Sequence, residues 1–170
     1  LGGTWQFLYV PAVLENSSAC QAMLTLDHVQ EVIDSWSKLT VAITGIANTV
    51  SPSGTQTLYA NFLDEATQKR LREQSAAGGI CVRYFDVQGG LCQELSDRVI
   101  GIGLDQLRHV PRVIGVAGGM EKVEAILAAL RGQYVNVLVT DEETAEAVLE
   151  QANPRKLVRK GVNGLSMSLS

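Results

Sequence analysis

Histidine and cysteine are scarce in these 170 residues, two and three respectively. His28 and His109 lie far apart, and neither belongs to an HxxxH or HxxE pattern. A zinc site would have to be assembled from scattered residues, so no metal is expected. Cys20, Cys81 and Cys92 are odd in number and show no CxxC spacing, which fits buried, reduced thiols in a cytoplasmic protein better than a disulfide framework. No apolar run approaches the ~18 residues that a membrane span needs, and no charged-then-apolar leader opens the chain. Strong positive charge is also missing: 14 Lys and Arg stand against 18 Asp and Glu, for a net charge of −4. A nucleic-acid-binding surface usually carries a basic stripe. The basic group Arg155, Lys156, Arg159 and Lys160 reads as a solvated tail instead, so this segment is not expected to touch DNA directly. Walker, GxGxxG and GxSxG motifs are absent, and no cofactor is expected.

What remains has the composition of an α/β domain, 46% hydrophobic and 19% charged with 16 glycines. Trp5–Val10 reads as a strand ended by Pro11, with Trp5 and Trp36 as core residues. Asp27 and Gln30 suggest a capping box opening a helix that carries Val29, Val32, Ile33 and Trp36 on one face. Val41–Gly45 reads as a strand and Asp64 to Gln74 as a helix. Ile80–Phe85 reads as one strand before the turn Asp86 to Gly90, after which a second strand could pair with it. Val113–Ala117 is a continuous apolar run, as expected of a strand buried on both faces. A helix follows it with Met120, Val123, Leu127 and Leu130 inward. Val135–Val139 is another such strand. Thr140 and Glu143 then suggest a capping box for a helix burying Ala145, Val148 and Leu149. Strand and helix alternating through short connections predict right-handed βαβ units, a Rossmann-like parallel sheet with flanking helices. No linker divides the chain, so residues 1–170 are expected to form a single α/β domain with 161–170 as a tail.

Ligands of open parallel sheets sit at the carboxyl ends of the strands. Three such ends can be located: Gly45 to Thr49, Ala117-Gly118-Gly119, and Thr140-Asp141. The run Gly115 to Lys122 is the most informative, because glycines at a strand-to-helix turn let backbone amides approach an anion. Lys122 in the first helical turn opposes the macrodipole unless an anion is near. Tight glycines for packing and Lys122 paired with Glu121 or solvent would explain the same residues structurally. The loop with Asn48, Thr49, Ser51, Ser53 and Thr55 suits sugar hydroxyls and is equally the composition of any loop. Asp86 fits a turn, Arg83 an edge strand or a ligand contact, and Asp141 to Glu143 a helix start.

The run VIGVAGGMEKVEAILAALRGQYVNVLVTDEETAEAVLE, residues 113–150, resembles the C-terminal signature of the SorC-type (DeoR-like) sugar-binding transcriptional regulators. SAAGGICVRYFDVQGG, residues 75–90, is similar to their Gly-rich strand with its Phe-Asp turn. VAITGIANTVSPSG, residues 41–54, is similar to their GIG strand end, and Tyr9 to Ala12 to an apolar strand closing on Pro. The agreement runs over about residues 5 to 160. The resemblance implies an effector-binding domain with the sugar-phosphate isomerase and deaminase fold. It further implies a sugar or phosphosugar ligand that alters operator binding by a tetramer. The lysine of AGGxxK, here Lys122, is an effector contact in that family. The expected effector-binding set is therefore Lys122, Gly118, Gly119, Gly45, Asn48 and Gly78.

This sequence departs from the pattern in three ways. Gly79 stands where many members carry an acidic residue, and Ala47 where glycine is frequent. The N-terminal helix-turn-helix and the first part of the effector domain have no counterpart in these residues. With Leu1 in place of Met, a longer parent polypeptide is expected, and operator DNA would be reached only through its N-terminal domain. Two other functions compete. One is an isomerase-like or deaminase-like enzyme using Asp86, Asp141 or His109, none of them in a supporting motif. The other is a domain whose only work is oligomerisation.

Overall fold

A computed structural model describes residues 2–49 and 64–153. The helices are α1 Ser17–Leu24, α2 Asp27–Trp36, α3 Glu65–Glu73, α4 Leu104–Arg108, α5 Val123–Arg131 and α6 Glu142–Ala152. The strands are β1 Val41–Gly45, β2 Ala47–Asn48, β3 Ala76–Ile80, β4 Arg83–Asp86, β5 Arg112–Val116 and β6 Val137–Val139. β1, β5 and β6 form a parallel sheet in that order, with Ile43 opposite Ile114 and Ile114 opposite Val137. The expected parallel sheet with flanking helices is therefore present. A second sheet was not foreseen: β2, β3 and β4 pair antiparallel. Ile46, itself buried, is the only residue between β1 and β2, so the chain leaves one sheet and enters the other within a single step.

α5 explains why the two sheets stay together. Val123, Ala125, Ile126, Leu127, Ala128 and Ala129 are all buried, giving a helix apolar around most of its circumference. It packs on β3, and its side chains share one core with Val113 and Ala117 of the parallel sheet. Small residues permit this close approach. A Cβ on Gly78 would lie 2.6 Å from the Ala125 Cβ and 2.7 Å from the Ala47 carbonyl.

Several local expectations are corrected. Residues 3–9 form no strand; Trp5, Phe7 and Tyr9 are 71%, 57% and 69% exposed, while Leu8 and Val10 pack inward. Alternation was real there, but no neighbouring strand among the described residues supplies a ladder. Trp5 is thus not core, and Trp36 is only half-buried. The N-cap of α2 is Leu26, not Asp27, and no side chain caps it; the Gln30 side-chain amide donates back to the Leu24 carbonyl. Asp141, not Thr140, caps α6. Leu149 and Met120 face solvent, and Val116 and Val139 are 47% and 51% exposed, so the 113–117 run and the strand at 137–139 are not buried on both faces. Ser51, Ser53, Thr55, the 155–160 basic cluster and the 161–170 tail lie outside the described residues.

Across the Asp86 to Gly90 turn the expected pairing is reduced to a single antiparallel bridge, Phe85 with Leu91, and the expected strand Ile80–Phe85 is itself a hairpin. Ile80 pairs with Arg83, leaving Cys81 and Val82 as a two-residue turn with φ of 52° and 61°. Positive φ at both positions is what tight hairpins require, and a β-branched residue resists it. Val82→Gly is expected to stabilise the fold by about 1 kcal/mol, the left-handed cost net of glycine's chain entropy. A melting curve should rise by roughly 2–4 °C, and an unchanged or lower melting temperature would contradict the turn geometry.

Candidate functional site

The carboxyl end of β1 opens on a cleft of about 280 Å³. The chain passing from β1 to β2 contributes Thr44, Gly45, Ile46 and Ala47. The β3–β4 hairpin contributes Gly79, Cys81, Val82 and Tyr84, and Lys122 completes the lining. Lys122 is held there by the 3-10 turn Met120–Lys122, whose last amide donates to the Gly119 carbonyl at 2.9 Å. Among the described residues its ammonium has no carboxylate partner, so of the two structural alternatives the pair with Glu121 is not made. No aspartate or glutamate among the described residues lines the cleft. An uncompensated ammonium in a small cleft with exposed backbone nearby suits an anionic group on a ligand.

Of the six residues expected to bind the effector, Gly45 and Lys122 come together in this lining. Asn48 lies behind it, 2% exposed, donating to the Glu121 carbonyl at 2.9 Å. Asn48 therefore ties the end of β2 to the turn that presents Lys122. Gly78 lies under α5, where close packing accounts for it. Gly118 and Gly119 face the other way, toward α6. The Gly119 amide donates to the Thr144 hydroxyl at 2.8 Å and to the Asp141 carboxylate at 3.1 Å. Any side chain on Gly118 would strike that carboxylate. The glycines thus let β5 turn tightly against the start of α6, with an internal carboxylate rather than a ligand at that amide.

The Asp141 buttress has measurable consequences. The Thr144 amide, then the Thr144 hydroxyl and the Gly119 amide, hold the Asp141 carboxyl below the usual carboxylate range. A lowered folded-state pKa adds stability above the unfolded value and loses it as pH falls through the folded one. Asp141→Asn keeps a capping oxygen and is expected to flatten the acid limb of stability below about pH 4. An unaltered acid limb would show that the charge contributes nothing. Thr144 is fully buried, and Thr144→Val should cost about 1–3 kcal/mol by stripping partners from Gly119 and Asp141.

Three cleft residues escaped sequence reading: Cys81, Val82 and Tyr84. The turn that presents Cys81 and Val82 carries none of the usual Gly, Asn or Asp signals. Cys20 and Cys92 are buried as expected, but the turn leaves Cys81 exposed; crowding around its sulfur still pushes the Cys81 thiol up, and its Sγ lies 3.8 Å from the Thr44 hydroxyl. Arg83, just beyond the turn, is neither a free edge cation nor part of the lining. Its guanidinium donates to the Gly101 carbonyl at 3.1 Å and the Ile102 carbonyl at 3.2 Å. Burial without a carboxylate partner pulls its pKa down. Asp86 accepts the Gln88 and Gly90 amides in the following turn, each at 2.8 Å. The His109 ring contacts the Asp105 carbonyl. None of the candidate acid–base residues Asp86, Asp141 and His109 lines the cleft. No cluster of His, Cys, Asp or Glu suited to a metal ion occurs among the described residues.

The family model described as "Putative sugar-binding domain" matches residues 1–150. The chain belongs to this sugar-binding domain family, carried by SorC-type regulators. It is 34% identical over 141 residues to the sorbitol operon regulator of Klebsiella pneumoniae, covering 82% of this chain and 44% of that protein. It is 34% identical over 145 residues to the deoxyribonucleoside regulator of Bacillus subtilis, covering 85% of this chain and 45% of the relative. The crystal structure of the full-length Klebsiella regulator matches with a TM-score of 0.75 over 82% of this chain and 45% of that one. A transcriptional regulator from Streptococcus pneumoniae matches at 32% identity with a TM-score of 0.78, over 87% of this chain and 56% of its own. This member of the SorC-type family thus spans under half the length of these two curated relatives. The sequence resemblance and the mixed α/β architecture agree with these matches. No helix among the described residues is long and apolar enough to cross a membrane.

Proposed function

We propose that this chain is the effector-binding part of a bacterial transcriptional regulator of sugar metabolism, and that it binds a sugar or phosphosugar in the cleft at the end of β1. The observation that carries the reading is Lys122. Among the described residues it is the one ammonium in a lining without carboxylates, at the strand end where parallel sheets bind ligands. The remaining effector contacts are assigned to Gly45 and the hairpin turn. Asn48, Gly78, Gly118 and Gly119 act by positioning the walls. In the whole regulator, an N-terminal helix-turn-helix domain would carry operator binding, the first part of the effector domain would complete the site, and the working form would be a cytoplasmic homo-tetramer. The names of the relatives support regulation over catalysis. So does the dispersal of Asp86, Asp141 and His109, because acid–base chemistry needs its groups within reach of one substrate.

The test is a thermal-shift panel of pentoses, hexoses and their phosphates, on the 170-residue chain and on the longer protein that contains it. A ligand at about 100 times its Kd adds about 2.7 kcal/mol, or roughly 5–10 °C at this size. A shift with one compound supports the reading, and a shift only in the longer protein places part of the site outside these residues. No shift in either protein overturns it.

A further inference from the structure

The walls of the cleft differ in chemistry. Lys122 supplies the one charge among the described lining residues, and an ammonium only donates hydrogen bonds. The wall made by the β3–β4 hairpin is largely hydrocarbon. Tyr84 is buried with its ring against Gly79, where a Cβ would stand 3.3 Å from the ring. Val82 is half-buried beside it, and Ile46 and Ala47 continue the apolar surface. Gly79 pairs with Ala47 on one side and with Tyr84 on the other, so the backbone of this wall belongs to the antiparallel ladder. Crowding keeps the Cys81 thiol protonated. The Thr44 hydroxyl, 3.8 Å from that sulfur, already donates to the Gly45 carbonyl at 3.2 Å. No carboxylate or side-chain amide among the described residues lines the cleft.

This combination discriminates among sugar phosphates. A sugar hydroxyl has a proton to donate and lone pairs to fill, and burying it without partners forfeits its hydrogen bonds to water. Carboxylates and side-chain amides are the side chains best suited to accept that proton, and this wall has neither. A methylene or methyl group in the same place is buried favourably. The phosphate, drawn to Lys122, fixes which end of the ligand faces the ammonium and leaves the rest of it against the hairpin.

We infer that the cleft selects a deoxy sugar phosphate, with its phosphate at Lys122 and a carbon bearing no hydroxyl against Cys81, Val82 and Tyr84. This rests on the phosphosugar reading above and narrows it. The test compares matched pairs by calorimetry on the longer protein that contains this chain. The pairs are ribose 5-phosphate with 2-deoxyribose 5-phosphate, glucose 6-phosphate with 2-deoxyglucose 6-phosphate, and L-tagatose 1-phosphate with its 6-deoxy form, L-fuculose 1-phosphate. In at least one pair the deoxy member is expected to bind about 10- to 100-fold more tightly, the range over which an apolar pocket rejects one added hydroxyl. Val82→Asn places an amide in the wall at a position whose φ of 61° asparagine tolerates. It is expected to cut that preference to under about 3-fold while the melting temperature holds. Cys81→Asn gives the same readout at the first turn position, where hairpins favour asparagine, if Val82→Asn fails to fold. Binding in which the hydroxylated member equals or beats its deoxy partner in every pair would overturn the inference and leave the regulator reading intact. A deoxy preference unchanged by both asparagine variants would also overturn it, by moving the selectivity away from the hairpin. So would a failure of all these compounds to bind, and the wider panel above then decides the regulator reading separately.

Discussion

Lys122→Ala is expected to weaken binding of a phosphosugar by about 10- to 100-fold, the worth of a charge-assisted hydrogen bond. The melting temperature of the unliganded protein should not change. Both halves follow from the same observation, since Lys122 has no ion-pair partner among the described residues whose loss could destabilise the fold. Its backbone amide, which anchors the 3-10 turn to Gly119, survives the substitution. Titration of wild type and variant with the compound found in the thermal-shift panel, at low and high salt, decides the matter. Equal affinities would remove Lys122 from the site. Loss of affinity for the phosphosugar but not for its neutral parent sugar would assign Lys122 to the phosphate.

Gly78→Ala is expected to destabilise the protein by about 3 kcal/mol, the upper range for overpacking a core. That corresponds to a fall in melting temperature of roughly 6–12 °C. The added methyl would stand 2.6 Å from the Ala125 Cβ, 2.7 Å from the Ala47 carbonyl and 3.1 Å from the Phe85 ring. Two of these neighbours are a paired strand's backbone and a buried helical residue, so relaxation must separate β3 from α5. Gly78 thereby differs from Lys122 although both belong to the same expected effector-binding set. Any loss of ligand affinity in Gly78→Ala should track its loss of stability. A variant of normal stability that fails to bind would return Gly78 to direct contact.

The difference between these two residues shows how far the sequence could be read. Hydrophobic runs located β1, β5 and β6, because parallel strands leave continuous apolar segments that need no partner information to recognise. The strand-end rule then placed Gly45 and Lys122 at one end of that sheet. The hairpin escaped because Cys81 and Val82 carry no turn chemistry, and the positive φ at both is imposed by the pairing of Ile80 with Arg83. Gly118 and Gly119 read as an anion cradle. Only the three-dimensional position of Asp141, 22 residues on from Gly119, shows that an internal carboxylate already meets the Gly119 amide.

Sequence alone thus determined the α/β class, the parallel strands, the family resemblance and the residue types available for an anionic ligand. These rest on periodicity, composition and local motif, which are properties of short stretches of chain. Tertiary structure decided which glycines serve packing and which border the cleft. It also brought Cys81, Val82 and Tyr84 opposite Lys122. Those outcomes depend on contacts between residues far apart in the chain, where a close approach of 2.6 Å or a buried amide has no local signature.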